Sequence, residues 1–358
     1  MRSTRVLAVA AIGLAIVATS GGFTAASEKP RWKPQWKLTD TGVTARFRGL
    51  APVDGKVAWA AGSAGTILRT VDGGRHWASV ASADMAGLEF RDIEAWDARN
   101  AVALAIGNGE ASRIYTTADG GKSWTETFRN DDETAFYDCV TFMDRRHGLA
   151  LSDPVGGKFR ILATDDGGRS WAVRPTTGMP DALPGEFAFA ASGTCLVSAD
   201  HLGAGRAWFA TGGGATARVF ATANGGRSWS VTDSPLPSSE AGGVFSLAFK
   251  DPWHGLAVGG DYLTPDQAPD GAATTRDGGR TWTVSRTVPG EYRSGADWLG
   301  LLPVALAVGP SGSDITDDGG RTWKRFDTGS FDSVFCTPDL SCWASGASGR
   351  IARLSISR

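Results

Sequence analysis

Thr70-Val71-Asp72-Gly73-Gly74-Arg75-His76-Trp77 is one of six copies of a single phrase; the others occupy residues 117–124, 164–171, 222–229, 275–282 and 316–323. Their common pattern is Thr-x-Asp-Gly-Gly-(Arg/Lys)-(Ser/Thr/His)-Trp, with Asn224 standing once for the acid. A phrase recurring at this spacing marks a repeat architecture. Asp-Gly and Asn-Gly between apolar runs signal a hairpin, because Gly supplies the positive φ that tight strand turns require. The acids Asp72, Asp119, Asp166, Asp277 and Asp318, with Asn224, are read as turn-forming acceptors for nearby backbone N–H groups. Trp77, Trp124, Trp171, Trp229, Trp282 and Trp323 each open an outgoing strand and are expected to bury a large ring.

Each unit reads as four strands, A to D, with the phrase (the box) joining C to D. In the second unit these fall at 90–96, 101–106, 113–117 and 124–128. A short A–B turn recurs as Asp97-Ala98-Arg99-Asn100, Asp144-Arg145-Arg146-His147 and Asp251-Pro252-Trp253-His254. That recurrence makes His147 and His254 turn residues rather than catalytic ones. After the last box, residues 333–336, 342–346 and 350–355 supply A, B and C without a D. Residues 35–38, starting Gln35-Trp36, read as an orphan D. The expected fold is therefore all-β: a seven-bladed propeller over 31–358, with the N-terminal strand completing the last blade and removing an open sheet edge.

Composition narrows the function classes. The 36 basic and 38 acidic residues leave no basic excess of the kind a nucleic-acid binder carries. Residues 1–26 have the form of a secretory signal, with Arg2 and Arg5, an apolar run over 6–18 and the small residues Ala25 and Ala26. That run of about 13 residues falls short of the roughly 20 that span a bilayer. The expectation is a periplasmic or secreted protein with no membrane anchor after cleavage. In an oxidising compartment, Cys336 and Cys342 can face each other across a hairpin and form a disulfide. Cys139 and Cys195 lie in neighbouring repeats and give no comparable reason to pair. No Cys or His spacing indicates a metal site, and no cofactor motif is present.

Boxes and A–B turns belong on one face of such a ring. The irregular segments 107–112, 129–135, 152–158, 175–185, 211–217, 233–243 and 259–271 are expected on the other, where binding residues usually lie. The innermost strands begin there, so Arg48, Arg91, Asp92, Glu94, Asp138, Glu186, Arg293 and Asp332 are candidates to surround the central opening. Asp153, Lys158, Asp261 and Tyr262 are loop candidates. Together they offer acids for proton transfer and arginines for carboxylate or peptide recognition.

The box resembles the Asp-box, or bacterial neuraminidase repeat, whose place in its β-propellers is peripheral and structural. The segments Phe47-Arg48-Gly49-Leu50, Phe90-Arg91-Asp92-Ile93-Glu94, 185–194 and Gly259-Gly260-Asp261-Tyr262 add a resemblance to the photosystem II stability and assembly factor family, in its broad bacterial branch. That resemblance implies a seven-bladed binding scaffold using an arginine-bearing surface, with a protein or peptide partner such as a membrane-protein complex. A sialidase-like glycosidase, with carbohydrate as ligand, is the alternative. Arg48, Arg91 and Arg293 could then form a carboxylate triad beside Tyr292 and Glu291. Against it, Phe47-Arg48 is followed by Gly49-Leu50 instead of Ile-Pro, and adjacent strand residues point to opposite faces. A third class, an oxidoreductase, matches a label common in the branch, but no chemistry in the sequence supports it.

Overall fold

The computed structural model describes residues 33–199 and 205–357; the expected signal segment at 1–26 lies outside them. The described residues form seven antiparallel sheets of four strands, six of them simple meanders. Blade 1 runs Phe47–Pro52, Ala58–Gly62, Ile67–Thr70 and Ala78–Ser79. The A strands of the next six are Glu89–Ala95, Tyr137–Phe142, Leu196–Ser198, Gly242–Phe249, Gly295–Trp298 and Ser333–Cys336. Blade 7 takes its outer strand from the start of the chain: Lys33–Thr39 pairs with Ile351–Ser357, from Lys33 opposite Ser357 to Thr39 opposite Ile351. The closure read from residues 35–38 is thus present, and Trp36 secures it. Its ring is buried against Phe326 and Phe331, and its Nε1 donates to Ser313 Oγ at 3.0 Å.

Every box forms the same turn. Thr70 Oγ1 donates to Asp72 Oδ1 and accepts the Gly74 N–H at 3.0 Å. Asp72 then accepts the His76 N–H at 3.0 Å and its ring nitrogen at 2.6 Å. In the second box, Asp119 takes the N–H and hydroxyl of Ser123 in the same way. Both box glycines adopt positive φ, 78° and 82° in the first copy, a region closed to most side chains. The first of them also donates to the A–B turn of its own blade, as in Gly73 to Lys56, Gly120 to Arg99, Gly167 to Arg146 and Gly278 to Trp253. Boxes and A–B turns therefore share one face. The turn histidines behave as read: His147 and His254 sit 2.7 Å from Asp144 and Asp251 of their own turns.

Among the described residues there is no single central core. Seven apolar clusters occupy the seven seams between neighbouring blades, for example Trp59, Ile67, Phe90 and Tyr115 between blades 1 and 2. Box tryptophans pack into these seams: Trp124 meets Trp59 edge-on at 6.1 Å, and Trp77 meets Trp343 at 6.0 Å. Trp229 and Trp323 are buried, each covered by a neighbouring connection through Met179 and Val288 respectively, while Trp77, Trp124, Trp171 and Trp282 are half-buried on the rim. The burial expected for all six is complete in two.

Three features differ from the sequence reading. Residues 152–158 are mostly strand: Gly148–Val155 and Lys158–Thr164 extend the blade 3 hairpin to a tight Gly156-Gly157 turn. The 175–185 connection does not lie wholly on the far face, since Gly178 O accepts the Trp229 N–H at the edge of the blade 4 box before the chain turns inward. Cys139 and Cys195 do pair, with Cα atoms 6.1 Å apart, because innermost strands of adjacent blades run side by side. The Cys336–Cys342 disulfide closes the A–B hairpin of blade 7 as expected.

Candidate functional site

The innermost strands carry a repeated irregularity. Pairing of A with B skips a residue between Phe47 and Gly49, Phe90 and Asp92, Tyr137 and Cys139, and Val244 and Ser246. The bulged residues are Arg48, Arg91, Asp138 and Phe245. A bulge re-aims its extra side chain and favours sites of function. Here it acts at the end of each strand away from the boxes.

Arg91 Nε donates to Glu89 at 2.9 Å and its Nη1 to the Ala190 carbonyl at 2.8 Å. Arg46, in the connection before blade 1, holds Asp332 with two hydrogen bonds of 2.8 and 2.6 Å. Arg48 lies 3.9 Å from that same, already occupied Asp332, and its buried Nε has no hydrogen-bond partner among the described residues. Burial, reinforced by the nearby Arg91 charge, pushes the Arg48 guanidinium down to about 10, so it stays cationic at neutral pH. Asp138 is fully buried with an unpartnered Oδ2; burial and the neighbouring Asp153 carboxylate drive its pKa well above the usual range. Burial lifts Asp153 to about 7, although its Oδ1 accepts the Ala188 N–H at 2.8 Å. The mouth thus holds Arg46 and Arg91 in ion pairs, Arg48 as a spare cation, and Asp138 as a largely neutral acid.

The segment leading into blade 4 crosses this mouth. Blade 4 adjoins only blades 3 and 5 in the ring. Yet Ala190 accepts from Arg91 of blade 2, Ser192 O accepts from Ser333 Oγ of blade 7, and Gly193 lies against the Asp92 carboxylate. Cys195, bonded to Cys139, fixes the end of this crossing. Beside it, Phe189 stacks on Phe245 at 3.7 Å, Phe245 meets Tyr292 at 4.7 Å, and Phe187 meets Phe189 at 4.9 Å. One half of the mouth, on blades 7 and 1 to 3, is charged; the other, on blades 4 to 6, is aromatic.

The other sequence candidates lie elsewhere or are already occupied. Asp92 is buried and ties blade 2 to blade 3, accepting the Val140 N–H at 2.7 Å. Glu94 sits further along its strand opposite Val102, towards the box face. Glu186 is sealed in an ion pair with Arg218 and accepts the Thr211 hydroxyl at 2.6 Å. Arg293 is fully buried and bound to Asp314 at 2.6 Å, and Glu291 is taken by Arg325 and Ser311. The triad and Tyr–Glu pair of a sialidase-like site are therefore not assembled. Lys158 pairs with Asp181 at 2.7 Å; Asp261 caps its own turn through the Leu263 N–H; Tyr262 is exposed, edge-on to Phe245. Arg46, Phe187, Phe189 and Phe245 were not foreseen. The Arg-x-Arg spacing of 46 and 48 was the available signal, since alternate residues of an extended chain share a side.

No protein-family model matches this chain, and no curated protein does. Solved structures with the same fold include YCF48 bound to D1 peptide, at 14% identity and TM-score 0.61, covering 89% of this chain and 94% of that one. YCF48 from Cyanidioschyzon merolae gives 16% identity and the same TM-score over 89% and 98%. The GH74 xyloglucanase from Xanthomonas campestris gives 15% identity and TM-score 0.61, over 89% of this chain but 53% of its own. At these identities the likeness establishes the seven-bladed propeller and no more.

Proposed function

We propose that this protein is an exported binding module of assembly-factor type, which recognises a protein or peptide segment on the face opposite the boxes. The observation that carries this is Arg48: a cation at the mouth with no committed partner, flanked by Arg46 and Arg91 and facing an aromatic half-ring. A guanidinium in that setting suits a peptide carboxylate, and the half-buried Phe187 and exposed Tyr262, backed by the buried rings of Phe189, Phe245 and Tyr292, suit apolar side chains beside it. The crossing segment makes the mouth a platform rather than a deep pit. The likeness to YCF48 bound to D1 peptide supports the same class of ligand. Two disulfides support an oxidising compartment.

A glycoside hydrolase is the second reading, favoured by the Asp138–Asp153 pair, since a carboxyl kept neutral by burial is a suitable general acid. One experiment separates the two. The chain from residue 27 is used to capture partners from a periplasmic extract, in parallel with Arg48→Ala/Arg91→Ala, and both are assayed on a glycoside library. Specific capture lost in the double variant is expected. Glycoside cleavage without capture, abolished by Asp138→Asn, would replace the binding reading with the enzyme.

A further inference from the structure

The box face is not uniform. In blades 1 to 3 its A–B turns are polar: Asp54-Gly55-Lys56, Asp97-Ala98-Arg99-Asn100 and Asp144-Arg145-Arg146-His147. In blades 5 to 7 the equivalent turns present Trp253 (46% exposed), Leu301 (79%), Leu302 (38%) and Leu340 (50%). Leu340 holds φ of 66°, a left-handed conformation in which a bulky residue is unusual, and its Cδ2 lies against Gly300 of the neighbouring turn. Packing within the ring does not account for these exposed chains.

Next to these turns lies a groove of about 280 Å³ lined by Lys250, His254, Arg276, Trp298, Pro303 and Arg321, among others. Lys250 stands 4.6 Å over the Trp298 ring, and Arg206 lies 5.2 Å over Trp253. Among the described residues, Lys250, Arg276 and Arg321 form no ion pair. Asp318, the acid in the groove lining, is occupied by its own box through the N–H groups of Arg321 and Thr322 and the Thr322 hydroxyl.

The chain also enters the ring on this face. In blade 7, the pairing of Ser345 with Ile351 lies towards the far face, and that of Trp343 with Arg353 towards the boxes. The Lys33–Ser357 end of the outer hairpin therefore projects on the box side. The sequence running into it carries Lys29, Arg31 and Trp32, downstream of the apolar targeting run at 6–18.

We propose that the box face of blades 5 to 7 docks on an anionic lipid surface. Trp253, Leu301, Leu302 and Leu340 enter the interfacial layer, while Lys250, Arg276 and Arg321 meet the headgroup phosphates. Apolar tips spread over three turns and rimmed by unpaired cations match an interface of acyl chains beneath anionic headgroups. A protein hot spot would instead gather its anchors in one desolvated pocket. The outer strand of blade 7 begins on this same rim, at Lys33. Docked so, the ring leaves the mouth with Arg48 facing away from the bilayer.

The test is co-sedimentation of the chain from residue 27, which keeps every strand of the ring, with phosphatidylcholine vesicles and with mixed phosphatidylcholine–phosphatidylglycerol vesicles. Binding is expected to the mixed vesicles only and to weaken as salt rises. The surface variants Leu301→Ser/Leu302→Ser/Leu340→Ser and Lys250→Gln/Arg276→Gln/Arg321→Gln should each lower it about tenfold or more, with unchanged melting temperature. Arg48→Ala/Arg91→Ala, on the other face, should bind like wild type. Wild-type protein left in the supernatant with mixed vesicles at low salt overturns the proposal, as does full binding by the triple Ser variant. Retention on immobilised poly-glutamate without vesicle binding would assign the face to an acidic protein partner instead, and equally overturns it.

Discussion

At the scale of the residue, Asn224 shows what the box acid contributes. Its Oδ1 accepts the Ser228 N–H like its acidic counterparts, but its Nδ2 donates to Ser228 Oγ, reversing that hydrogen bond. The turn needs the acceptor geometry; the charge is optional. In the charged copies, hydrogen bonds from residues 76 and 123 hold Asp72 and Asp119 down at about 2. A folded-state pKa below the unfolded one adds stability that is full above about pH 4 and is lost as pH falls through about 2. The mouth acids act in the opposite sense. Asp153, lifted to about 7, favours the fold most below the unfolded carboxyl pKa near 4, and that contribution disappears as pH rises through 7. Urea titrations from pH 2 to 8 should therefore show stability climbing to about pH 4 and declining towards neutrality. Asp153→Asn should flatten the decline and leave the acid limb in place.

At the scale of the element, the outer strand Lys33–Thr39 is the most exacting piece. It covers an edge of blade 7 and carries the buried Trp36. Trp36→Ala should cost about 3–5 kcal/mol in a denaturant titration, through lost packing on Phe326 and Phe331 and an orphaned Ser313 hydroxyl. Trp323→Ala should cost a similar amount, and Trp124→Ala less, because that ring is half-exposed on the rim. The strand pattern in the second unit was legible almost to the residue: 101–106 and 113–117 are strands B and C as read. The hairpin at 152–158 was misjudged because Ser152, Asp153 and Pro154 look like a loop. A bulge between Ser152 and Pro154 lets the strand continue through them.

At the scale of the whole molecule, stability resides in seven seams, so the ring should unfold as one unit only while it is closed. Deleting residues 31–42 should lower the melting temperature and broaden the calorimetric transition, since opening the circle exposes one seam and uncouples its neighbours. The two disulfides should differ in worth. Cys139–Cys195 closes a separation of 56 residues and Cys336–Cys342 one of 6. In the chain-entropy account, Cys139→Ser/Cys195→Ser should cost about 4 kcal/mol and Cys336→Ser/Cys342→Ser about 2, measured by urea titration of each pair variant. The first should also loosen the segment crossing the mouth, visible as faster amide exchange in 188–194.

By itself the sequence determined the ring, its blade number and its closure, because those follow from local chemistry repeated six times: a Thr–Asp–Gly–Gly turn, a strand-opening Trp and an orphan D strand. It also named Arg48, Arg91 and Asp138, which stand at the same point of successive A strands. It could not reveal which candidates meet. Arg293 and Glu186 look equally exposed in one dimension, yet each is consumed by an ion pair across its own blade. The crossing of the mouth by 188–194, the Cys139–Cys195 bond and the stack of Phe189 on Phe245 join residues of different blades. Those contacts depend on how the ring curves and on bulges that shift register by a single residue, and no local pattern records either.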